Sequence, residues 1–188
     1  MKYWLLAGLL GLSSLPAAAL ELKGVQLEDQ VQVADRKLVL NGAGLRSMLF
    51  FRMYVAGLYL DGKKDSADAV LADAGAKRIA LHVVTDNDEA VHFQKGFRKG
   101  VELNTGAEEV AQLQQRIDAF VHLFDGVKVV KKGDEIDLDW QPGSGTHVRF
   151  NGTELGVVAG EDFYRALLSI WLGAHPVSSD VKKGMLGG

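Results

Sequence analysis

Arg46, Arg52 and Tyr54 stand in the most apolar strand-like stretch of the chain, Arg46 to Leu60. A buried arginine must be paired or hydrogen-bonded, because an isolated buried charge costs several kcal/mol. Its planar fork of donors matches a carboxylate, and a tyrosine hydroxyl beside it adds one more donor. Counted along a single strand, Arg46 and Tyr54 lie eight residues apart on one face, with Arg52 at the same parity between them. Such a pair suits an anionic head group at the end of an apolar pocket. On residue types and spacing alone a plainer arrangement is commoner. That is a strand-end arginine neutralised by one of the 24 acidic residues.

Other chemistries find less support. The five histidines, His82, His92, His122, His147 and His175, share no helix face at i, i+4, and there is no HExxH and no cysteine, so no metal site is expected. A nucleophile elbow of the GxSxG type is absent, and Ser144 sits between two glycines in a turn. Glu135, Asp137 and Asp139 alternate along a strand, where carboxylates are usually solvated and not catalytic. Gly42–Ala43–Gly44 precedes a strand instead of a helix, which excludes a dinucleotide fingerprint. Lys95, Arg98 and Lys99 interleave with Phe93 and Phe97 as an ordinary amphipathic helix does. No cofactor and no nucleic-acid partner are expected.

The elements that position these residues follow from periodicity. Val25–Leu27, Val31–Val33 and Leu38–Leu40 read as edge strands or a small hairpin, and Arg46–Leu60, apolar on both faces, as one central strand. A short helix over 66–74 has Ser66 as its N-cap and Gly75 as its stop, and Ile79–Val84 is a strand. Asp86 or Asn87 caps a helix running to about Leu103, and Thr105 with Glu108 forms a capping box for the next. The apolar stripe of that second helix runs from Val110 to Phe124, and Gly126 ends it. Residues 127–158 form a meander in which Ile136, Leu138 and Trp140 face the core and the acidic residues face water. Asn151–Gly152 is the preferred pair for a type I′ hairpin, a better account of Asn151 than its glycosylation sequon. Helices over 161–172 and 178–186 close the chain. Strands, helices, a meander and helices again describe α+β.

Composition bounds the rest. The 188 residues are 47% hydrophobic and 24% charged, with a formal charge of −3, which excludes disorder and suits one domain. A pI near 5.9 offers no bulk attraction to nucleic acid. The absence of cysteine removes disulfide scaffolds, zinc–thiolate sites, iron–sulfur clusters and a lipoprotein anchor. Residues 1–19 read as a secretory signal: Lys2, an apolar run from Trp4 to Leu12, the breakers Ser13, Ser14 and Pro16, then Ala17–Ala18–Ala19. That run is shorter than the roughly 20 residues that span a bilayer, and no second span follows. The expected mature domain is 20–188, periplasmic, without stable membrane insertion. Removing Lys2 shifts its charge from −3 to about −4.

Two segments carry a family resemblance. Leu40–Asn41–Gly42–Ala43–Gly44–Leu45–Arg46 with Leu49–Phe50–Phe51–Arg52–Met53–Tyr54–Val55–Ala56–Gly57–Leu58–Tyr59–Leu60 resembles the signature of the bacterial chalcone isomerase-like proteins. Ile170–Trp171–Leu172–Gly173–Ala174–His175–Pro176–Val177–Ser178 and Lys182–Lys183–Gly184–Met185–Leu186–Gly187 resemble that family's ending, and Gly96–Phe97–Arg98–Lys99 fits its middle. The resemblance runs from Leu22 to Gly187. It implies an open-faced β-sandwich, a large antiparallel sheet covered by a layer of helices.

The family has two functional branches. Plant chalcone isomerases close a flavanone ring with an arginine after a Gly-x-Gly turn, a threonine on the following strand, a helix tyrosine and asparagine, and a polar residue on a C-terminal helix. Related plastid proteins bind fatty acids, holding the carboxylate with the arginine and a tyrosine. Arg46 matches the arginine, and Tyr54 falls where the enzymes have threonine and the fatty-acid binders tyrosine. No tyrosine occurs between Tyr59 and Tyr164, Lys95 and Gly96 stand near the asparagine's place, and the C-terminal polar position falls on Ile170, one step from Ser169. The resemblance therefore implies a binding protein for a fatty-acid-like or other small apolar carboxylate, with Arg46 and Tyr54 as its clamp and no catalytic residues. The alternatives are an isomerase acting on a chalcone-like enone, with Arg46 stabilising an oxyanion, and a ligand-free envelope module.

Overall fold

The computed structural model describes residues 20–48 and 51–188. The expected leader, residues 1–19, lies outside the described residues. Eleven strands and five helices are described, and the expected α+β class is what they form. The centre is a seven-stranded antiparallel sheet in the order β11-β10-β9-β6-β5-β4-β3. Its strands are β3 (Gln30–Val33), β4 (Arg36–Met48), β5 (Phe51–Leu60), β6 (Lys77–Val83), β9 (Glu135–Gln141), β10 (Gly145–Phe150) and β11 (Thr153–Val158). Helices α1 (Ala67–Leu71), α2 (Ala90–Asn104), α3 (Ala107–His122), α4 (Glu161–Leu172) and α5 (Ser179–Met185) all place residues in or against its main core. Strands β1 (Leu20–Leu22) and β2 (Val25–Leu27) form a hairpin, and β7 (Asn87–Glu89) pairs with β8 (Val129–Lys131).

Strand β5 shows why its run is apolar on both sides. Tyr54, Ala56, Leu58 and Leu60 enter the main core beneath the helices. Val55 and Tyr59 enter a smaller cluster on the opposite face, with Leu27, Val33, Leu38 and Leu40. Arg46–Leu60 is nevertheless not one strand. Arg46 to Met48 end β4, the chain reverses, and Phe51 begins β5. Period-two patterning could not detect the reversal, because no glycine, asparagine or proline marks it.

Gly42 and Gly44 let the last helix rest on β4. A Cβ on Gly42 would stand 2.2 Å from the Gly184 oxygen, and one on Gly44 would stand 2.5 Å from the Val181 Cα. The Gly42–Ala43–Gly44 run is thus a helix seat. Beside it, the β4–β5 register slips between Leu40 and Gly42. At this slip the buried Asn41 donates to the Met185 and Lys64 carbonyls at 2.7 and 2.9 Å.

Several local expectations hold. Helix α4 spans 161–172 as read, and Ser66 accepts from the Ala69 amide. Asn151 and Gly152 have φ of 51° and 77°, the positive pair that a type I′ turn requires. Three expectations change. Helix α2 begins at Ala90, three or four residues after the expected caps, because residues 87–89 pair first with β8. Thr105 ends α2 in extended backbone and Gly106 precedes α3, so the capping box does not form. Finally, Asp137 and Asp139 are buried, not wet. Arg78 Nε and Nη2 donate to the two carboxylate oxygens of Asp139 at 2.6 and 2.7 Å.

Candidate functional site

A cavity of about 510 Å³ opens between the β4–β5 hairpin and the helices. One wall is the sheet, with Arg46 and Met48 from β4 and Phe51, Met53 and Tyr54 from β5. The opposite wall is α2, with His92, Phe93, Lys95, Gly96 and Phe97, and the floor includes Ile170 and Trp171 of α4. Val177, Thr85 and Asp88 complete the lining. Its body is apolar and aromatic. Below it Phe97 packs edge-on against Phe120 at 5.2 Å and against Trp171 at 6.2 Å, so the floor is held by interlocked rings.

Arg46 and Tyr54 are direct partners across two strands, not residues eight apart on one. The register slips immediately afterwards: Arg46 faces Tyr54, but Ser47 faces Arg52, leaving Met53 as the extra residue of a bulge. Both clamp candidates therefore line the cavity, while Arg52 is exposed and lines no part of it.

The electrostatics of the pair are distinctive. The half-buried Arg46 guanidinium donates to the Val177 carbonyl and, at 3.5 Å, to the Ser47 carbonyl. Among the described residues it forms no ion pair with a carboxylate. Its remaining N–H groups are available at a mostly apolar cavity whose other polar lining residues include Thr85, Asp88, His92 and Lys95. Burial pushes the Tyr54 phenol above its usual range, opposed by the hydrogen bond from Trp171 and the charge of Arg46. The phenol is thus neutral. Its oxygen accepts from the Trp171 indole at 3.1 Å, and among the described residues its own proton meets no acceptor. A cation and a neutral O–H donor share one end of an apolar cavity. That arrangement can bind an anion.

Other residues of sequence interest fall as follows. Lys95, Gly96 and Ile170 all line the cavity, so the chain brings to it the positions that its resemblance implied. Ser169 does not line it and donates to the Ala166 carbonyl at 2.6 Å. Tyr54 supplies the one phenol of the lining described. Sequence reasoning missed the rim pair in which His92 Nδ1 lies 2.6 Å from Asp88 Oδ1, and it missed the Val177 carbonyl. It placed Trp171 on an apolar face, where nothing in the periodicity signals an indole N–H meeting Tyr54. Away from the cavity, Ser144 Oγ lies 2.8 Å from His147 Nε2, and His147 Nδ1 lies 2.8 Å from Glu154. This serine is exposed in a hairpin turn, without a water-excluding cleft. Among the described residues no cluster of side chains could hold a metal ion.

The chain belongs to the chalcone isomerase-like family, whose model matches residues 19–187. It is similar in fold to the crystal structure of a fatty-acid binding protein from Arabidopsis thaliana, with a TM-score of 0.66 at 19% identity. That alignment covers 87% of this chain and 92% of the plant protein. No curated protein sequence matches the chain.

Proposed function

We propose that this chain is a non-catalytic periplasmic binding protein for a fatty-acid-like carboxylate, clamped by Arg46 and Tyr54. One observation carries the reading: a guanidinium and a phenol face each other at an apolar cavity of about 510 Å³, and among the described residues the first has no carboxylate partner and the second no acceptor for its proton. A neutralised arginine beside a filled core, the arrangement expected of a ligand-free module, is not what surrounds Arg46. The volume lies within the roughly 300–1,000 Å³ of small-molecule sites. Burial of an alkyl chain contributes about 0.8 kcal/mol per CH₂ before ordering costs, and the head group adds a charge-assisted bidentate contact. The fatty-acid binding named for the plant structure supports the same ligand class. The apolar leader over 4–12 and the lack of cysteine support an exported, disulfide-independent domain.

Native mass spectrometry after gentle purification tests the reading. The wild-type chain is expected to carry a fatty-acid adduct, Arg46→Ala to lose it, and Arg52→Ala to retain most of it. A wild-type protein that emerges empty, and that takes up no added fatty acid, overturns the proposal.

A further inference from the structure

We propose that the tip of the β4–β5 hairpin docks on an anionic lipid bilayer, with Met48 and Phe51 entering the interface and Arg52 and Lys95 meeting its head groups. Met48 and Phe51 are cross-strand partners, 52% and 67% exposed, and both border the cavity. They are large apolar side chains held in solvent at the open end of an apolar site.

The charge around the tip has the opposite sign to that of the chain. Arg52, next to Phe51, is exposed, and Lys95 is exposed on the cavity wall. Neither is in an ion pair with another described residue. Asp88, the acidic residue of the lining, is held against His92. The chain as a whole carries −3, so its net charge gives no long-range attraction to an acidic membrane and contact depends on this local set.

A second copy of the chain suits the tip poorly, since the two large apolar side chains exposed there among the described residues fall far short of the roughly 800 Å² per partner that a stable interface buries. A bilayer requires only shallow insertion of a few apolar groups with cations beside them. Among the described residues no helix is long and apolar enough to cross a membrane, so the contact is peripheral. Docking would place the cavity mouth against lipid and let an apolar carboxylate pass without crossing water. This last step alone rests on the ligand reading above.

Co-sedimentation with lipid vesicles tests the docking, using residues 20–188, which carry every described element. Phosphatidylglycerol–phosphatidylcholine vesicles are expected to pull down the wild type. The bound fraction should fall at least about tenfold with phosphatidylcholine alone, in high salt, and in Phe51→Asp and Arg52→Glu. Both substituted side chains are exposed, and matching melting curves establish that the variants fold. Arg52 lies outside the cavity, so Arg52→Glu should still bind a fluorescent fatty acid, displaceable by unlabelled fatty acid, as the wild type does. Wild-type protein that ignores anionic vesicles, or variants that sediment as it does, overturn the proposal. So does a dimer, seen by light scattering without vesicle binding, that Phe51→Asp dissolves. Sedimentation without fatty-acid displacement upholds the docking and rejects the ligand reading.

Discussion

The Trp171 indole donates its N–H to the Tyr54 hydroxyl at 3.1 Å, joining a C-terminal helix to a sheet strand 117 residues earlier. The bond occupies the phenol's oxygen and leaves its proton for the cavity. Tyr54→Phe is therefore expected to act twice. The fully buried indole loses its acceptor, which costs about 1–3 kcal/mol and lowers the melting temperature. Fatty-acid affinity falls several-fold as the second donor of the clamp disappears. Fluorescent-ligand displacement checks this, and an unchanged affinity removes Tyr54 from the clamp.

Gly96 lies within α2, where glycine costs about 0.5–1 kcal/mol relative to alanine. An added Cβ would meet nothing within 4 Å, so packing does not require it. The space it leaves belongs to the cavity. Gly96→Ala is expected to raise thermal stability, while Gly96→Leu should fold and bind long-chain fatty acids more weakly than short ones. A chain-length series by calorimetry checks the contrast.

Gly44→Ala is expected to do the reverse. Its Cβ would meet the Val181 Cα at 2.5 Å, backbone that cannot rotate away. Overpacking of this kind costs about 1–3 kcal/mol. Lifting α5 also disturbs the connection at Val177 that holds Arg46. Amide exchange over Ser179–Met185 should accelerate, with ligand affinity falling in parallel.

Asp137 gives stability an unusual pH dependence. Arg78 is committed to Asp139 and approaches Asp137 only to 3.5 Å, so burial dominates and pushes the Asp137 carboxyl up to about 7. An unfolded aspartate titrates near 3.9. Between those values the folded chain holds a proton that the unfolded chain has released. This carboxyl's contribution to stability therefore falls as pH rises through that window and levels off above about pH 7. Asp137→Asn should flatten that component of the slope. Urea midpoints measured across the window for both proteins check the sign.

How far the sequence reached depended on the range of the interaction. Signals within a few residues were readable: the Asn151–Gly152 turn, the Ser66 cap, and the bounds of α4. The clamp residues were readable by type and by resemblance, but not by geometry. Alternation runs through the hairpin tip without a breaker, so Arg46 and Tyr54 looked like residues of one strand when they are partners on two. The burial of Asp139 depends on Arg78, 61 residues away, and strand pairing at that distance leaves no local trace. The delayed start of α2 has the same origin, since β8 claims residues 87–89 from about forty positions further on.

The hold of Val177 on Arg46 also sets an order of events. The two residues are 131 positions apart, so the guanidinium is synthesised long before the carbonyl that fixes it. A chain that lacks its C-terminal tenth cannot aim the clamp, however well the sheet has formed. Contacts of such sequence separation close late and slowly. Under the ligand reading proposed above, capture of a carboxylate at this site follows completion of the fold, and an unfinished chain gains no help from its cargo.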